Sequence, residues 1–234
     1  MTKKRILLKI TGNVFLSKDK KTASIQTIQS LIAQLKQLVE THQFCIVIGG
    51  GNFFRGSEFG KQLGITESVG HHVGMLATMM NGLILSDLFQ QAGIATKHLS
   101  AIVAPGTITP ARQDCIDSAL SEQKTIIFSG GTGIPFFTTD TNAVVRALQV
   151  DADEIWKASA VNGIYDKNPH KYNDAKLLKT INFKDIVEKN IQIMDRTAFT
   201  LAHSRKKIIR VFNIFEDNGL LKAAKDPLFG STVR

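Results

Sequence analysis

Hydrophobic residues along the chain follow two alternating patterns. Short, nearly continuous apolar runs are typical of strands buried on both faces of a parallel sheet, whereas apolar residues that recur every three or four positions are typical of amphipathic helices. The runs predict strands over residues 5–10, 44–48, 97–103, 125–128, 154–158, 208–214 and 230–234, the last at a sheet edge. Helical periodicity covers residues 23–39, 69–91, 109–122, 141–150, 181–189, 194–206 and 216–225. This alternation predicts an α/β fold whose mostly parallel sheet is covered by helices on both faces.

The predicted helix over residues 69–91 is apolar on more than one side. Its methionines at positions 75, 79 and 80 widen the stripe formed by residues such as Val73, Leu76 and Leu83. A helix of this kind covers a sheet and also meets another subunit, so we expect an oligomer. Residues 68–86 carry no formal charge, but their histidines, asparagine and glycines make the stretch too polar for a membrane span.

Composition and charge narrow the class of protein. Apolar residues form 43% and charged residues 21% of the chain, as in an ordinary globular protein. The chain starts with a predicted strand and not with a signal peptide, so we expect a cytoplasmic protein. Cys45 and Cys115 lack the spacing of a zinc site or a disulfide framework. The net charge of +9 points to anionic partners, which include nucleotides, nucleic acid and acidic lipid.

Polar and glycine-rich segments lie where the predicted strands end. Lys9 is near the end of the first strand, and residues 49–55, 130–140 and 157–166 lie at the ends of three others. Ligands of parallel sheets bind at the carboxyl ends of the strands. These four segments therefore predict a single ligand site along one edge of the sheet.

Two glycine-rich turns are the strongest signals in this set. Residues 129–140 (SGGTGIPFFTTD) connect a strand to a helix, and Thr138, Thr139 and Asp140 are at the predicted helix start. Residues 49–51 are three consecutive glycines, followed by Arg55, whose guanidinium matches phosphate oxygens. Accessible backbone N–H groups beside a helix N-terminus form a phosphate site. For residues 129–140 the alternative is a tight turn that needs glycine only for its geometry, and for Arg55 it is an ion pair with a neighbouring carboxylate.

The chemistry that these segments favour is phosphoryl transfer. The G-x-x-x-x-G-K-[ST] motif of P-loop kinases and a G-x-G-x-x-G motif after a strand are both absent from the sequence. The remaining candidates for a phosphate site are the two glycine turns together with the charged residues Lys9, Arg55, Asp140 and Asp195. Such groups suit the positioning and charge neutralisation that phosphoryl transfer needs, with Mg²⁺ between the phosphates.

Five runs of the sequence carry a resemblance to a known family. They are residues 5–12 (RILLKITG), 47–56 (VIGGGNFFRG), 74–82 (GMLATMMNG), 131–140 (GTGIPFFTTD) and 194–202 (MDRTAFTLA). In the same order, and over essentially the whole chain, the sequence resembles the bacterial UMP kinase (uridylate kinase) family of the amino-acid kinase superfamily. The resemblance implies a single three-layer αβα domain over residues 1–234 and the reaction of ATP with UMP to give ADP and UDP.

The resemblance also implies the site residues. Those expected to be catalytic are Lys9, Arg55, Asp140 and Asp195, and which of the two aspartates orders the lysine and which orders Mg²⁺ stays open. The expected ATP-binding residues are Lys9, Ile10, Thr11, Gly12, Gly51, Arg55, Ser159, Tyr165 and Asn168. The expected UMP-binding residues are Gly50, His71, Thr132, Gly133, Ile134, Pro135, Phe136, Phe137, Thr138 and Thr139. A homohexamer activated by GTP and inhibited by UTP, with Mg²⁺ bound together with ATP, is implied as well.

The sequence departs from the family pattern at several of these positions. His71 stands where the family has an aspartate that binds the ribose of UMP, and an imidazole accepts fewer hydrogen bonds than a carboxylate. We therefore expect weaker UMP binding, or compensation by a nearby carboxylate such as Glu67. Ile134 replaces an asparagine, and Asn162 and Asn168 replace aspartates of the ATP-side loop.

Two other functions fit parts of the sequence. One is a superfamily enzyme with a carboxylate or carbamate substrate, which Thr138–Thr139 and the Phe136–Phe137 pair do not favour. The other is a nucleotide-sensing or nucleic-acid-binding regulator that kept the fold, which the basic composition suggests. Because Lys9, Arg55, Asp140 and Asp195 are all present, the sequence favours the enzyme over a nucleic-acid binder.

Overall fold

The computed structural model of the protein describes residues 3–16, 24–54, 62–169, 171–188, 191 and 193–234. Arg55, which the sequence predicts to be catalytic, lies outside the described residues. The strands are β1 Lys4–Ile10, β2 His42–Ile48, β3 Thr96–Ser100, β4 Thr109–Pro110, β5 Thr125–Ser129, β6 Glu154–Ser159, β7 Ile164–Tyr165, β8 Leu177–Leu178, β9 Thr180–Ile181, β10 Ile208–Asn213 and β11 Ser231–Val233. The helices are α1 Ile25–Leu38, α2 Glu67–Gln91, α3 Gln113–Ser121, α4 Thr139–Gln149, α5 Phe183–Glu188, α6 Arg196–Ser204 and α7 Gly219–Lys225, with a short 3-10 helix over Gly12–Phe15.

The main sheet is mostly parallel, as the sequence predicts. Among the described residues it has nine strands in the order β4-β3-β5-β2-β1-β6-β10-β11-β9. The run from β4 to β10 is parallel throughout, and β11 pairs antiparallel with β10. This topology brings the carboxyl ends of β1, β2, β5 and β6 to one edge, where the predicted ligand segments follow.

Helices cover both faces of the sheet and complete three layers. One buried cluster contains apolar residues of α3, α4, α5 and α6, and a second contains those of α1, α2 and α7. Side chains of β1 alternate between the clusters, since Leu7 belongs to the first and Ile6, Leu8 and Ile10 belong to the second. The alternation places Lys9 on the same face as Leu7, which is the face that α4 covers.

Three predicted elements differ from those in the structure. The helix predicted over residues 109–122 begins only at Gln113, because Thr109–Pro110 first pairs with the end of β3. The terminal strand Ser231–Val233 is not at the edge, since it lies between β10 and β9. Ile181, predicted to begin a helix, belongs instead to the edge strand Thr180–Ile181, and the β7–β8 hairpin has no clear signal in the sequence.

Helix α2 is long and apolar enough to cross a membrane by length and composition alone, so the polar residues at 68–86 do not by themselves exclude a span. Half of its most apolar stretch is buried inside the protein, where the helix packs on β3 and β5. A core helix of a soluble protein has the same properties. On its other side Val69, Leu76, Met80, Leu83 and Ile84 are exposed.

Candidate active site

Two lysines lie side by side at the ligand edge of the sheet. Lys9 and Lys157 are in register on the neighbouring parallel strands β1 and β6. Residues in register on adjacent strands project from the same face, so both ammonium groups reach toward the N-terminus of α4. Each side chain is about one-sixth exposed, at 15% for Lys9 and 16% for Lys157. Strands β1 and β6 thus place two ammonium groups close together at the edge of the sheet.

Asp140, in the first turn of α4, joins the two lysines. Its Oδ1 is 3.0 Å from Lys9 Nζ, and its Oδ2 accepts a hydrogen bond from Lys157 Nζ at 2.7 Å. Lys157 also donates to the carbonyl of Ile193. The three charged groups have a formal sum of +1, which leaves one positive charge available to an anionic ligand.

Burial and mutual charge set the pKa values of this trio. Burial by itself raises the pKa of the Asp140 carboxyl, but the ammonium groups of Lys9 and Lys157 outweigh it and hold that pKa below its ordinary value. Burial lowers the pKa of Lys157, and the nearby Lys9 charge adds to this, so the attraction of Asp140 does not restore the ordinary value. An anion bound beside Lys157 would oppose that shift and favour the charged ammonium.

Asp195 has a different position from Asp140. It is the N-cap of α6, and its Oδ1 accepts hydrogen bonds from Ala198 N at 3.0 Å and from Thr141 Oγ1 at 2.9 Å. Its Oδ2 accepts from the hydroxyls of Thr138 and Thr141. Thr138 in turn caps α4 by accepting from the backbone N–H groups of Asp140 and Thr141. Asp195 therefore ties the N-termini of α4 and α6 together.

The two glycine turns and Lys9 share one cavity of about 770 Å³, which we call the glycine cavity. Of the residues expected to bind UMP, Gly50, His71, Phe137, Thr138 and Thr139 line it. Thr132 to Phe136 are not among its lining residues and belong to the glycine loop, which we define as residues 130–137 between β5 and α4. Thr11, Gly12 and Gly51, expected on the ATP side, line the same cavity.

A buried amide network holds the first glycine turn. Asn81 Nδ2 donates to Gly49 O at 2.7 Å and to Asn52 Oδ1 at 2.7 Å, while Asn52 Nδ2 donates to Asn81 Oδ1 at 3.0 Å. A Cβ atom on Gly12 would lie 2.3 Å from Asn52 Oδ1, and one on Gly50 would lie 2.7 Å from Gly74 O. Close backbone approach thus explains these two glycines, as the run of three glycines at 49–51 predicts for Gly50.

The glycine loop begins with a backbone that needs glycine. Gly130 has a φ of +72°, and a Cβ there would lie 2.7 Å from Ser100 Oγ and 2.8 Å from Ile102 N. Gly130 N donates to Thr78 Oγ1 at 2.8 Å, which fixes the loop to α2. Phe136 also has a positive φ of 71°, which is strained for a residue of this size.

The far end of the glycine cavity holds the substituted residue His71. Its Nε2 lies 3.9 Å from Glu67 Oε1, and both residues line the cavity. The His71 ring also contacts the ring of Phe136, with centroids 5.1 Å apart. A carboxylate and an imidazole therefore occupy the place where the sequence predicts a changed ribose site.

A second cavity, the hairpin cavity, lies beside β6 and the β7–β8 hairpin. It is about 470 Å³ and is lined by Lys157 together with Ser159, Tyr165 and Asn168, which are three of the residues expected to hold ATP. A third cavity of about 780 Å³ is lined by Asp140, Lys157 and Asp195. Ile10, also expected on the ATP side, is fully buried, so its side chain belongs to the core.

Sequence reasoning missed the role of Lys157 and Asn81. Lys157 is the last residue but one of its predicted strand, as Lys9 is of the first strand, and that shared position was the available signal. Asn81 is fully buried in the middle of the apolar helix α2, where an unpaired amide would be costly. A buried polar residue inside an apolar stripe was the available signal in that case.

Comparisons with known proteins identify the family of the chain. The family model described as the amino acid kinase family matches residues 4–213. The uridylate kinase of Fervidobacterium nodosum is 40% identical over 231 residues, which cover 98% of this chain and 97% of that protein. The crystal structure of UMP kinase from Ureaplasma parvum has a TM-score of 0.95 at 30% identity and covers 100% of this chain and 99% of that one. UMP kinase from Bacillus anthracis has a TM-score of 0.92 at 28% identity, with 99% and 96% covered. The predicted resemblance is confirmed, and the chain belongs to the uridylate kinase branch of the amino acid kinase family.

Proposed function

We propose that this protein is a UMP kinase, which transfers the γ-phosphoryl group of ATP to UMP and yields ADP and UDP, a step of pyrimidine nucleotide biosynthesis. The observation that carries the proposal is the Lys9–Asp140–Lys157 trio between two cavities. Lys9 lines the glycine cavity, Lys157 lines the hairpin cavity, and Asp140 contacts both lysines. Both cavities fall in the size range of small-ligand sites.

We assign UMP to the glycine cavity. Its phosphate would lie toward Lys9 and the capped N-terminus of α4, where positive charge and a helix end favour an anion. Its nucleoside would extend toward Glu67, His71 and Phe137, which line the same cavity. The 40% identical uridylate kinase relative supports this choice of acceptor.

We assign ATP to the hairpin cavity, with its adenine near Tyr165 and Asn168 and its phosphates directed toward Lys157. In phosphoryl transfer, charge develops on the oxygens of the transferred group, so fixed cations lower the barrier. The Lys9 ammonium would stabilise that charge from the side of UMP, and the Lys157 ammonium would stabilise it from the side of ATP. Asp140 holds both ammonium groups in place before either nucleotide arrives.

Mg²⁺ bound with ATP would bridge and neutralise phosphate oxygens, and it usually keeps several waters and takes one or two carboxylates. Within the described part of the chain, no group of three or more His, Cys, Asp or Glu side chains could hold a metal by itself. We assign the carboxylate to Asp140, because within the described part of the chain its buried Oδ1 makes no hydrogen bond beyond its ion pair with Lys9. Both oxygens of Asp195 already accept protein hydrogen bonds.

We further propose that residues 1–234 act as one cytoplasmic domain that self-associates. Among the described residues, nine strands between β1 and β11 join one sheet, and only β7 and β8 pair separately, which supports one domain. The exposed stripe on α2, formed by Val69, Leu76, Met80, Leu83 and Ile84, supports a subunit contact. A hexamer, activation by GTP and inhibition by UTP follow from the family resemblance and stay predictions.

The test is ADP release from ATP and Mg²⁺ across UMP, CMP, AMP, GMP, carbamate and a glutamate derivative. We expect UMP to be the preferred acceptor by at least about tenfold in kcat/KM, with UDP as product. The Lys9→Met variant is the matched control, since contaminating kinases would leave its activity unchanged. Turnover of carbamate or of the glutamate derivative in place of UMP would overturn the assignment.

A further inference from the structure

A buried histidine lies beneath the glycine loop without lining the cavity. His98 is on β3, and its Nε2 is 2.7 Å from Ser129 Oγ. Ser129 is the last residue of β5 and directly precedes the glycine loop. His98 is not among the residues that line the glycine cavity. Its hydrogen bond with Ser129 links it to the glycine loop.

Helix α2 packs onto the same histidine. A Cβ on Gly82 would lie 2.4 Å from His98 Nε2 and 2.8 Å from its Cε1, so only glycine fits above the ring. One turn earlier, Thr78 Oγ1 accepts the hydrogen bond of Gly130 N at 2.8 Å. Thr78 and Gly82 are four residues apart on one helix face. The base of the glycine loop is thus fixed to α2 at two neighbouring points.

The histidine is costly for stability. Within the described part of the chain, its buried Nδ1 has no hydrogen-bond partner. Burial lowers the pKa of His98 to about 4, so the ring is neutral in the physiological range. A buried polar atom without a partner destabilises a protein relative to an apolar residue of similar size. Stability alone would therefore favour leucine at this position. Leucine, however, cannot form the hydrogen bond with Ser129.

We propose that His98 is a positioning residue for UMP binding, because its contact with Ser129 fixes the backbone of Gly130 and Gly131. Both glycines have positive φ, and Gly131 lines the glycine cavity beside Lys9. Glycine is the residue with the most conformational freedom, so this part of the loop depends on outside contacts to keep one conformation. The effect on UMP rests on the proposed function, whereas the effect on the loop does not.

The test compares His98→Leu with His98→Gln. Leucine removes the contact with Ser129 and the unpartnered nitrogen, so we expect His98→Leu to melt at the same or a higher temperature. We expect its KM for UMP to rise about tenfold, the scale of one lost hydrogen bond, with kcat and the KM for ATP nearly unchanged. The Gln amide reaches Ser129 and should restore the KM for UMP to within about twofold.

A second variant links the effect to Ser129. Because His98→Leu and Ser129→Ala break the same contact, the double variant should raise the KM for UMP no further than the larger single effect. An unchanged KM in His98→Leu would overturn the proposal. So would an equal rise of both KM values together with a lower melting temperature, which would indicate a purely structural role.

Hydrogen exchange of the ligand-free protein makes the test independent of catalysis. We expect the backbone amides of residues 130–133 to exchange about tenfold faster in His98→Leu, and at the wild-type rate in His98→Gln. Equal exchange rates in all three proteins would overturn the positioning role. A wild-type protein that does not phosphorylate UMP would instead refute the proposed function, and the exchange result would still decide about His98.

Discussion

The glycine cavity and the hairpin cavity are built in different ways. Around the glycine cavity, backbone groups are fixed by buried contacts, such as Asn81 Nδ2 to Gly49 O at 2.7 Å and Gly130 N to Thr78 Oγ1 at 2.8 Å. The hairpin cavity depends on two strands of two residues each and on contacts with distant segments, such as Ile164 N to Ser231 Oγ at 2.8 Å. The glycine cavity, to which we assign UMP, is therefore a preorganised backbone site, and the hairpin cavity, to which we assign ATP, is assembled from remote parts of the chain.

The departures from the family pattern occur on both sides of the site. His71 lines the glycine cavity and Ile134 lies in the glycine loop, whereas Asn168 lines the hairpin cavity. Asn162 keeps a structural contact, since its Oδ1 accepts a hydrogen bond from Asn213 Nδ2 at 2.9 Å. Lys9, Lys157 and Asp140 join the two sides, and we expect substitutions there to have the largest effects.

Replacing Lys157 by Met should have the largest effect. The variant loses the cation on the donor side, so we expect kcat to fall by about 10²–10³-fold. The KM for UMP should change little, because Lys157 is not among the residues that line the glycine cavity. Lys36→Met, at an exposed position of α1, is the matched control and should keep wild-type kinetics. If the Lys157→Met enzyme kept more than half of the wild-type kcat, Lys157 would have no role in catalysis.

Acid should destabilise the protein through His98. Its pKa is about 4 when folded and 6.5 ordinarily, so between these values the unfolded chain binds a proton that the folded protein does not. Stability therefore falls as pH falls from about 6.5 to about 4, by about 3 kcal/mol from this residue. Urea unfolding at pH 7 and pH 4 should show a smaller loss in His98→Gln than in the wild type. Equal losses would contradict the assigned burial of the ring.

Replacing Gly50 by Ala should destabilise the first glycine turn, which borders the glycine cavity. The added Cβ atom would lie 2.7 Å from Gly74 O and 2.9 Å from Ala77 Cβ, so we expect Gly50→Ala to lose about 1–3 kcal/mol of unfolding free energy. Gly74→Ala is the control for stability, because a Cβ there meets nothing within 4 Å, and it should be neutral or stabilising. If both variants unfold at the same denaturant concentration, close packing of the glycine turn on α2 is wrong.

The smallest effect concerns the ribose end of UMP. We expect His71→Asp to bind UMP up to about tenfold more tightly, because a carboxylate accepts more hydrogen bonds than an imidazole. Glu67→Gln should weaken UMP binding in the wild-type background and have less effect beside Asp at position 71. Calorimetric titration of UMP into the four proteins checks this. Equal affinity of wild type and His71→Asp would show that Glu67 fully compensates or that neither residue meets the ribose.

The sequence predicted the sheet, its flanking helices and the meeting of Lys9 with the glycine turns, because periodicity and glycine turns are local signals. It could not predict the β7–β8 hairpin or the inner position of β11, since both depend on pairing between segments far apart in the chain. It also left Asp140 and Asp195 indistinguishable. Asp140 lies in the first turn of α4 and Asp195 caps α6, and the different contacts of the two aspartates depend on the packing of α4 beside α6.

The most direct test of the account is the structure of the protein with a bisubstrate analogue in which a polyphosphate joins uridine to adenosine. We predict the uracil in the glycine cavity, the adenine in the hairpin cavity, and the phosphate chain passing between Lys9 and Lys157. An analogue bound in the opposite direction, or one whose phosphates contact neither lysine, would contradict it.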